Sequence, residues 1–484
     1  MYLNKKGKIT MIKNINNDSL APTLKSEKKW KWFEVSNIWA NDIQSLFGYT
    51  LVASLFISYQ VTGWTAFFAL IVAGLLVTFL VNISGKAGVD YGIPYPVLAR
   101  SSMGIKGAKL SAIIRAIVAV FWFGVQTYFA STALHLLITA LTGIKLETTY
   151  LGIDAIGWLS FFVVWVLQMV IFSKGMNWVS KFLNFAAPFV YIIMIGLLIV
   201  LWSKSGGELF SAANNIFSNE QSSLSSEING FFAIVGTMIA YFAAVMINFS
   251  DFSRYAKDNK SMVVGNLVGL PFNMVLFSAL ALLITAGSVV VFGEKLTNPM
   301  DIVEKADSTI LSLVAAITFF TATVGINLVA NFIPAVNGIS NLAPKKLSFK
   351  KSGLITSLFA LIIGGFWVSF ISQVGISPIV NTLGATLAPL YGILVIDYFL
   401  VKKQTLDIDS LYDESQDSEY FYENGWNNSS IIAFLIGATF SICTVWIESL
   451  SSLNGYGWII GAILGATVHL VLSKKETQNQ LAFN

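Results

Sequence analysis

The chain has 484 residues, of which 55% are hydrophobic and only 12% charged, with a mean hydropathy of +0.70 and a formal charge of +4. Soluble domains carry roughly 25% charged residues, so this composition excludes a water-soluble globular domain and indicates an integral membrane protein. Blocks such as LIVAGLLVTFLV and YIIMIGLLIVLW run on without the strict alternation of a transmembrane barrel, which makes the chain helical.

From the start, residues 1–32 are rich in Lys and Asn and lack the apolar core of a cleaved leader, so they read as a polar tail. Twelve apolar segments follow, centred near residues 47, 75, 124, 164, 190, 240, 276, 323, 362, 390, 439 and 464. With the tail placed in the cytoplasm and sides alternating, every Lys and Arg except Lys145, Lys204, Lys295 and Lys305 falls inside. That asymmetry is what orients membrane helices, and it supports twelve spans with both termini cytoplasmic. The external stretch 203–228 and the internal 403–429, which carries DIDSLYDESQDSEY, are shorter than the roughly 50 residues a separate domain needs. Both read as solvated loops. Two further helices over 430–473 and a tail over 474–484 complete the chain.

Polar residues inside the spans are where function would show. NDIQSLFGYT (41–50) and NFSDFSRYA (248–256) interrupt the first and sixth spans at corresponding places; such pairs point to discontinuous helices in transporters built from inverted repeats. Within FWFGVQTYF (121–129), Trp122 and Gln126 share one helix face, where an indole can stack on a planar ring and an amide can read its edge. Taken alone, the pair is more simply packing beside an interhelical hydrogen bond. Asn327 and Asn331 repeat the same spacing in the eighth span. Asp42 is either a functional intramembrane carboxylate or a residue of the helix break, and both readings stay open.

Other candidates point less far. Arg115 is expected to snorkel to the inner face, His135 to be a packed residue, and Asp251 and Arg254 to form a local ion pair or meet headgroups. Cys443 has no second cysteine, and His135 and His469 lie far apart, so neither a disulfide nor a structural metal is expected. GKAGVDYG (85–92) lacks the ending of a phosphate-binding loop, and no basic patch suggests nucleic acid.

Five motifs in order, WANDIQSLFGYTLVASLF (39–56), GVDYGIPYPVLARSSMGIKGA (88–108), FWFGVQTYFASTAL (121–134), NFSDFSRYA and NLVANFIPAVNGISNLAP (327–344), resemble nucleobase/cation symporter family 1 over about residues 33–410. That family includes permeases for cytosine, uracil, allantoin and hydantoins. The resemblance implies an all-α leucine-transporter fold: a ten-helix core over 33–402 in 5+5 inverted repeats, with helices 1 and 6 broken. It implies a ring held between aromatics of spans 3 and 6 and bonded by amides of spans 1, 3 and 8. By motif position these are Trp122, Gln126, Gln44 and Asn331, with the span 6 aromatic falling on Phe242 and Tyr241 beside it.

Sodium-coupled members hold the ion at positions matching Ala40, Ile43 and Ala322, plus two hydroxyls that here are replaced by Gly325 and Ile326. Losing two oxygen ligands of the five or six such an ion favours argues for proton coupling, with Asp42 as the titrating group. The resulting expectation is a monomeric cell-membrane symporter for a planar heterocycle, without cofactor beyond a coupling proton or sodium ion. The alternatives are an amino-acid or amine symporter on the same fold, or a membrane sensor.

Overall fold

In the computed structural model, residues 2–3, 9–10, 20–174, 176–211, 214, 223–343 and 346–483 are described, without the side chains of 2–3, 9–10, 176–188, 454 and 475–483. Most of the N-terminal tail, most of 212–222, Lys345 and the side chains of Lys181 and Lys475 therefore lie outside the described residues. Apart from two short strand pairs, Tyr2–Leu3 with Ile9–Thr10 and Thr149–Tyr150 with Ile153–Asp154, the described structure is helical.

The first span is two helices, α1 (Trp32–Ile43) and α2 (Leu46–Ser58). Ser45 between them is extended (φ −70°, ψ 156°), and its Oγ accepts the Gly48 amide at 3.0 Å, which starts α2. A Cβ on Gly48 would stand 2.5 Å from the Ile43 carbonyl oxygen, so only glycine lets α2 begin this close to the end of α1. After α3 (Gly63–Tyr91), α4 (Tyr95–Thr142) is two helices fused at Gly104, whose φ of 79° a side chain would resist. Then come α5 (Ala155–Ser173), α6 (Met176–Lys204), α7 (Leu224–Ile247) and the single turn α8 (Ser250–Ser253). In the sixth span the interruption at Asn248–Phe249 follows 24 continuous helical residues.

The second half runs through α9 (Asn259–Phe292), the short α10 (Pro299–Lys305), and α11 (Thr309–Ile326). A π-helical turn, Asn327–Phe332, joins α11 to α12 (Ile333–Leu342). Next, α13 (Phe349–Gly365) bends by 53° into 367–374, and α14 (Ile376–Ile396) continues as a π turn to Val401. Finally α15 (Ile408–Tyr412), α16 (Asn428–Trp446) and α17 (Gly457–Phe483) end the chain.

Among the described residues, nine helices are long and apolar enough to cross a membrane, or ten with the bent pair at 349–374 taken as one span; Leu46–Ser58 and Phe189–Lys204 are apolar but shorter. The bundle is inside out relative to a soluble protein. Large apolar side chains such as Phe79, Ile117, Phe272 and Phe359 face outward, while Asn41, Gln44, Gln126, Asn327 and Asp397 are buried. Outward apolar groups need a hydrocarbon surround, and inward polar groups need one another.

α4 packs against α11, α12 and α13, and α1 packs against α9 and α11, which brings Trp122 toward the α1–α2 break. The segment 403–429 differs from the solvated loop expected of it. Its carboxylates Asp407, Asp409 and Glu414 are exposed, but Leu406, Leu411, Tyr412 and Tyr420 are buried. Arg100 donates to the Leu411 carbonyl at 2.9 Å, Asn427 to Ser102 at 2.7 Å, and the Lys106 amide to Gly425 at 2.7 Å. These bonds strap the segment along both sides of the Gly104 kink.

An aromatic and amide cluster at a helix break

Trp122, 4% exposed, lies in the long arm of α4, and two rings close on it. Phe47 from α2 meets it edge-on with centroids 4.8 Å apart, and Tyr241 from α7 meets it at 5.6 Å and 85°. Phe47 and Tyr241 are themselves near parallel, 26° apart in plane at 5.9 Å. Each such contact adds about 0.5–1.5 kcal/mol beyond area burial. Phe242 turns the other way. It touches Tyr241 and packs on Trp39 of α1 at 5.9 Å, because neighbouring helix residues differ by about 100° in direction. The structure thus brings Trp122 against Tyr241, with Phe242 behind it.

The amides gather at the same break. Gln126 Nε2 lies 3.4 Å from Ser45 Oγ, and the Tyr241 hydroxyl also sits beside Ser45, within electrostatic reach of the buried Asp42. Gln44, the residue before Ser45, turns toward α9, where its Nε2 donates to Asn273 Oδ1 at 3.2 Å. Asn273 is held in turn by Tyr191, whose hydroxyl donates to the same oxygen at 2.6 Å, and by its own Nδ2 donating to Gly269 at 2.6 Å. Among the described residues, the side-chain oxygens of Asn41, Gln44 and Gln126 are buried and without a hydrogen-bond partner. Each such group costs about 1–3 kcal/mol unless something meets it.

Asn331 stands one step away. Its Nδ2 donates to Asn327 Oδ1 at 3.0 Å, and Asn327 Nδ2 donates to the Phe123 carbonyl, Thr127 Oγ1 and Gln168 Oε1 at 3.0, 3.2 and 2.9 Å. Asn327 is therefore a structural knot tying α4, α5 and the π turn, and it orients Asn331. Ala40, Ile43, Ala322, Gly325 and Ile326 are all buried where α1 meets α11. Of the carbonyls ending α1, that of Ala40 accepts the Gln44 amide at 3.2 Å. The nearby hydroxyl of Thr323 already accepts the Leu46 amide at 3.2 Å. Among the described residues Asp42 has no ion-pair partner.

Arg115 does not snorkel: it is 2% exposed. Its Nε donates to the Ala244 carbonyl at 2.8 Å, and its Nη2 to Asn248 Oδ1 and the Ala330 carbonyl, both at 3.2 Å. The last bond has a cause in the sequence. Pro334 carries no N–H, so the Ala330 carbonyl loses its helical partner four residues on, and Arg115 supplies one from α4. Asp251 accepts from the Tyr95 amide at 2.7 Å and from Asn248 at 3.0 Å. It serves as a cap for the start of α4, a role the expectation of an ion pair with Arg254 had not included. His135 is not merely packed either, since its Nε2 lies 3.0 Å from Asp154 Oδ2.

Sequence reasoning missed Ser45, Phe47, Asn273, Thr127 and Gln168. Two had a visible signal: Gln168 and Asn273 are lone amides in otherwise apolar runs, VVWVLQMVIF and LPFNMVLF.

Comparison with known proteins identifies the family and the fold. A family model described as "Permease for cytosine/purines, uracil, thiamine, allantoin" matches residues 22–461. The allantoin permease of Bacillus subtilis is 30% identical over 97% of this chain and 95% of its own. The purine-uracil permease of Arabidopsis thaliana is 28% identical over 88% of this chain and 70% of its own. Among solved structures, the inward-facing conformation of Mhp1 superposes with a TM-score of 0.77 at 19% identity, covering 96% of both chains. Mhp1 is described as a nucleobase-cation-symport-1 family transporter, solved also in a closed conformation with bromovinylhydantoin bound. The match over nearly the whole chain makes this a multi-pass membrane transporter and not an enzyme: it belongs to the family of permeases for cytosine/purines, uracil, thiamine and allantoin.

Proposed function

We propose that the chain imports a planar nucleobase-like ring (uracil, cytosine, allantoin, a hydantoin or a purine base) by cation symport with alternating access. The chain has twelve spans, ten in the transport core and two appended, with both termini in the cytoplasm, and broken first and sixth helices flank the site. Trp122 and Tyr241 supply the stacking faces, and Gln44, Gln126 and Asn331 the edge contacts. The observation that carries this reading is the convergence of Trp122, Tyr241, Phe47 and Gln126 on Ser45 at the α1–α2 break. Three rings and an amide around a helix interruption suit a flat, neutral, hydrogen-bonding ligand better than a flexible or charged one.

Proton coupling is favoured over sodium. Gly325 and Ile326 offer no hydroxyl, Thr323 Oγ is committed to Leu46, and Asp42 is a buried carboxylate beside the same break. Thermal unfolding of the purified protein against a panel of nucleobases, allantoin and hydantoins, each with and without sodium, tests the reading. Mass action raises the midpoint for a ligand that binds the native state. A shift from at least one ring, unaffected by sodium, is expected. A panel without any shift would remove the proposed site.

A further inference from the structure

Among the described residues around the α1–α2 break, the amide nitrogens of Asn41, Gln44 and Gln126 each have a protein acceptor, whereas their oxygens have no donor. The orientation of these amides is not arbitrary. Asn41 must point its nitrogen at the Asn37 carbonyl, 2.8 Å away. Asn273 is fixed by donating to Gly269 and accepting from Tyr191, so only the nitrogen of Gln44 fits against its oxygen. Asn331 is likewise fixed with its nitrogen on Asn327, whose own nitrogen faces Phe123 and Gln168. Gln126 is the exception: its nitrogen faces Ser45 Oγ at 3.4 Å, a hydroxyl able to donate as well as accept, so its neighbours fix the amides of Asn41 and Gln44 but not its own. What remains buried and without a partner among the described residues here is Asn41 Oδ1, Gln44 Oε1 and Gln126 Oε1, three acceptors.

We infer that the site selects its ring by N–H donors, taking cyclic ureides whose edges carry N–H groups and rejecting rings that put a lone-pair nitrogen or a carbon at those edges. This rests on the proposed transport of a planar heterocycle and narrows it. An acceptor facing a lone pair is left unpaired and repelled, and sites built to bond a particular N–H or O–H discriminate far more strongly than apolar pockets of the same shape. The reading ranks the family's possible cargoes. Uracil and hydantoin present two ring N–H groups, and allantoin adds a ureido arm with more. Cytosine puts a bare nitrogen where uracil has N3–H and an amine where uracil has a carbonyl, so its donors sit at a different edge, and adenine carries several bare nitrogens.

The test uses the full-length protein in detergent and measures dissociation constants for two near-isosteric pairs. Hydantoin is compared with succinimide, in which a CH2 takes the place of one N–H, and uracil with cytosine. At least tenfold tighter binding of the first member of each pair is expected. The Gln126→Leu variant, which removes one acceptor, is expected to shrink the hydantoin to succinimide ratio at least threefold. A preference below tenfold in either wild-type pair overturns the inference while leaving ring transport standing. An unchanged ratio in Gln126→Leu overturns the part assigned to that oxygen. If neither the two pairs nor allantoin or a purine base binds, the transport reading falls and this inference falls with it.

Discussion

The indole of Trp122 stands edge-on to the ring of Tyr241, with centroids 5.6 Å apart. Phe242, one residue on, lies behind that ring against Trp39. Removing the Tyr241 side chain should therefore damage ligand binding more specifically than changing Phe242. Tyr241→Ala is expected to weaken ring binding at least tenfold, beyond the stability lost with its three buried ring contacts. Phe242→Ala opens space in a fully buried position and should cost about 3–5 kcal/mol of stability. Ligand titration and thermal unfolding of the two variants separate these outcomes, and a reversed pattern would return the stacking role to Phe242.

Trp122→Ala should abolish, and Gln126→Ala should reduce, the ligand-induced thermal shift while each leaves a folded protein. Among the described residues the Gln126 side chain makes one hydrogen bond, a long 3.4 Å contact with Ser45, so its loss costs the fold little. An unchanged shift in both variants would take α4 out of the site.

Arg115 and Pro334 should behave as a pair. Arg115→Met strands the carbonyls of Ala244 and Ala330, and is expected to destabilise by roughly 3 kcal/mol, since bonds from a charged donor contribute about 1.5–3 kcal/mol each. In a Pro334→Ala background the Ala330 carbonyl regains a helical donor, so the same Arg115→Met change should cost less. Additive losses in a double-mutant cycle of unfolding midpoints would deny the link.

Gly48→Ala places a methyl 2.5 Å from the Ile43 carbonyl oxygen, a backbone atom that cannot swing aside, and 3.2 Å from Ser45 Oγ. The break between α1 and α2 must then open. Loss of ring binding with expression retained is the expected result, measured by size-exclusion profile and ligand titration; wild-type affinity would show that the break tolerates the methyl.

Much of this arrangement was legible in the chain. The spacing of Trp122 and Gln126 fixes a shared face whatever surrounds it, and the polar run NDIQSLFGYT marks where α1 must stop, because Ser45 caps the helix that follows. The facing of Tyr241 and Phe242 was not legible, since a choice between adjacent residues of one helix depends on how α7 is rotated against α1 and α4. The same holds for Arg115, whose burial follows from an unpaired carbonyl 215 residues away. The strap at 403–429 was hidden because its carboxylates do face water, as a loop's would, while buried tyrosines and backbone bonds anchor it from beneath.

Uptake of a labelled ring by the purified protein in sealed vesicles, under an imposed proton gradient or an imposed sodium gradient, tests the central claim most directly. The ring should be concentrated when protons flow inward and should ignore sodium, and Asp42→Asn should retain binding but lose the gradient-driven accumulation. Accumulation that follows sodium and ignores protons would contradict the account.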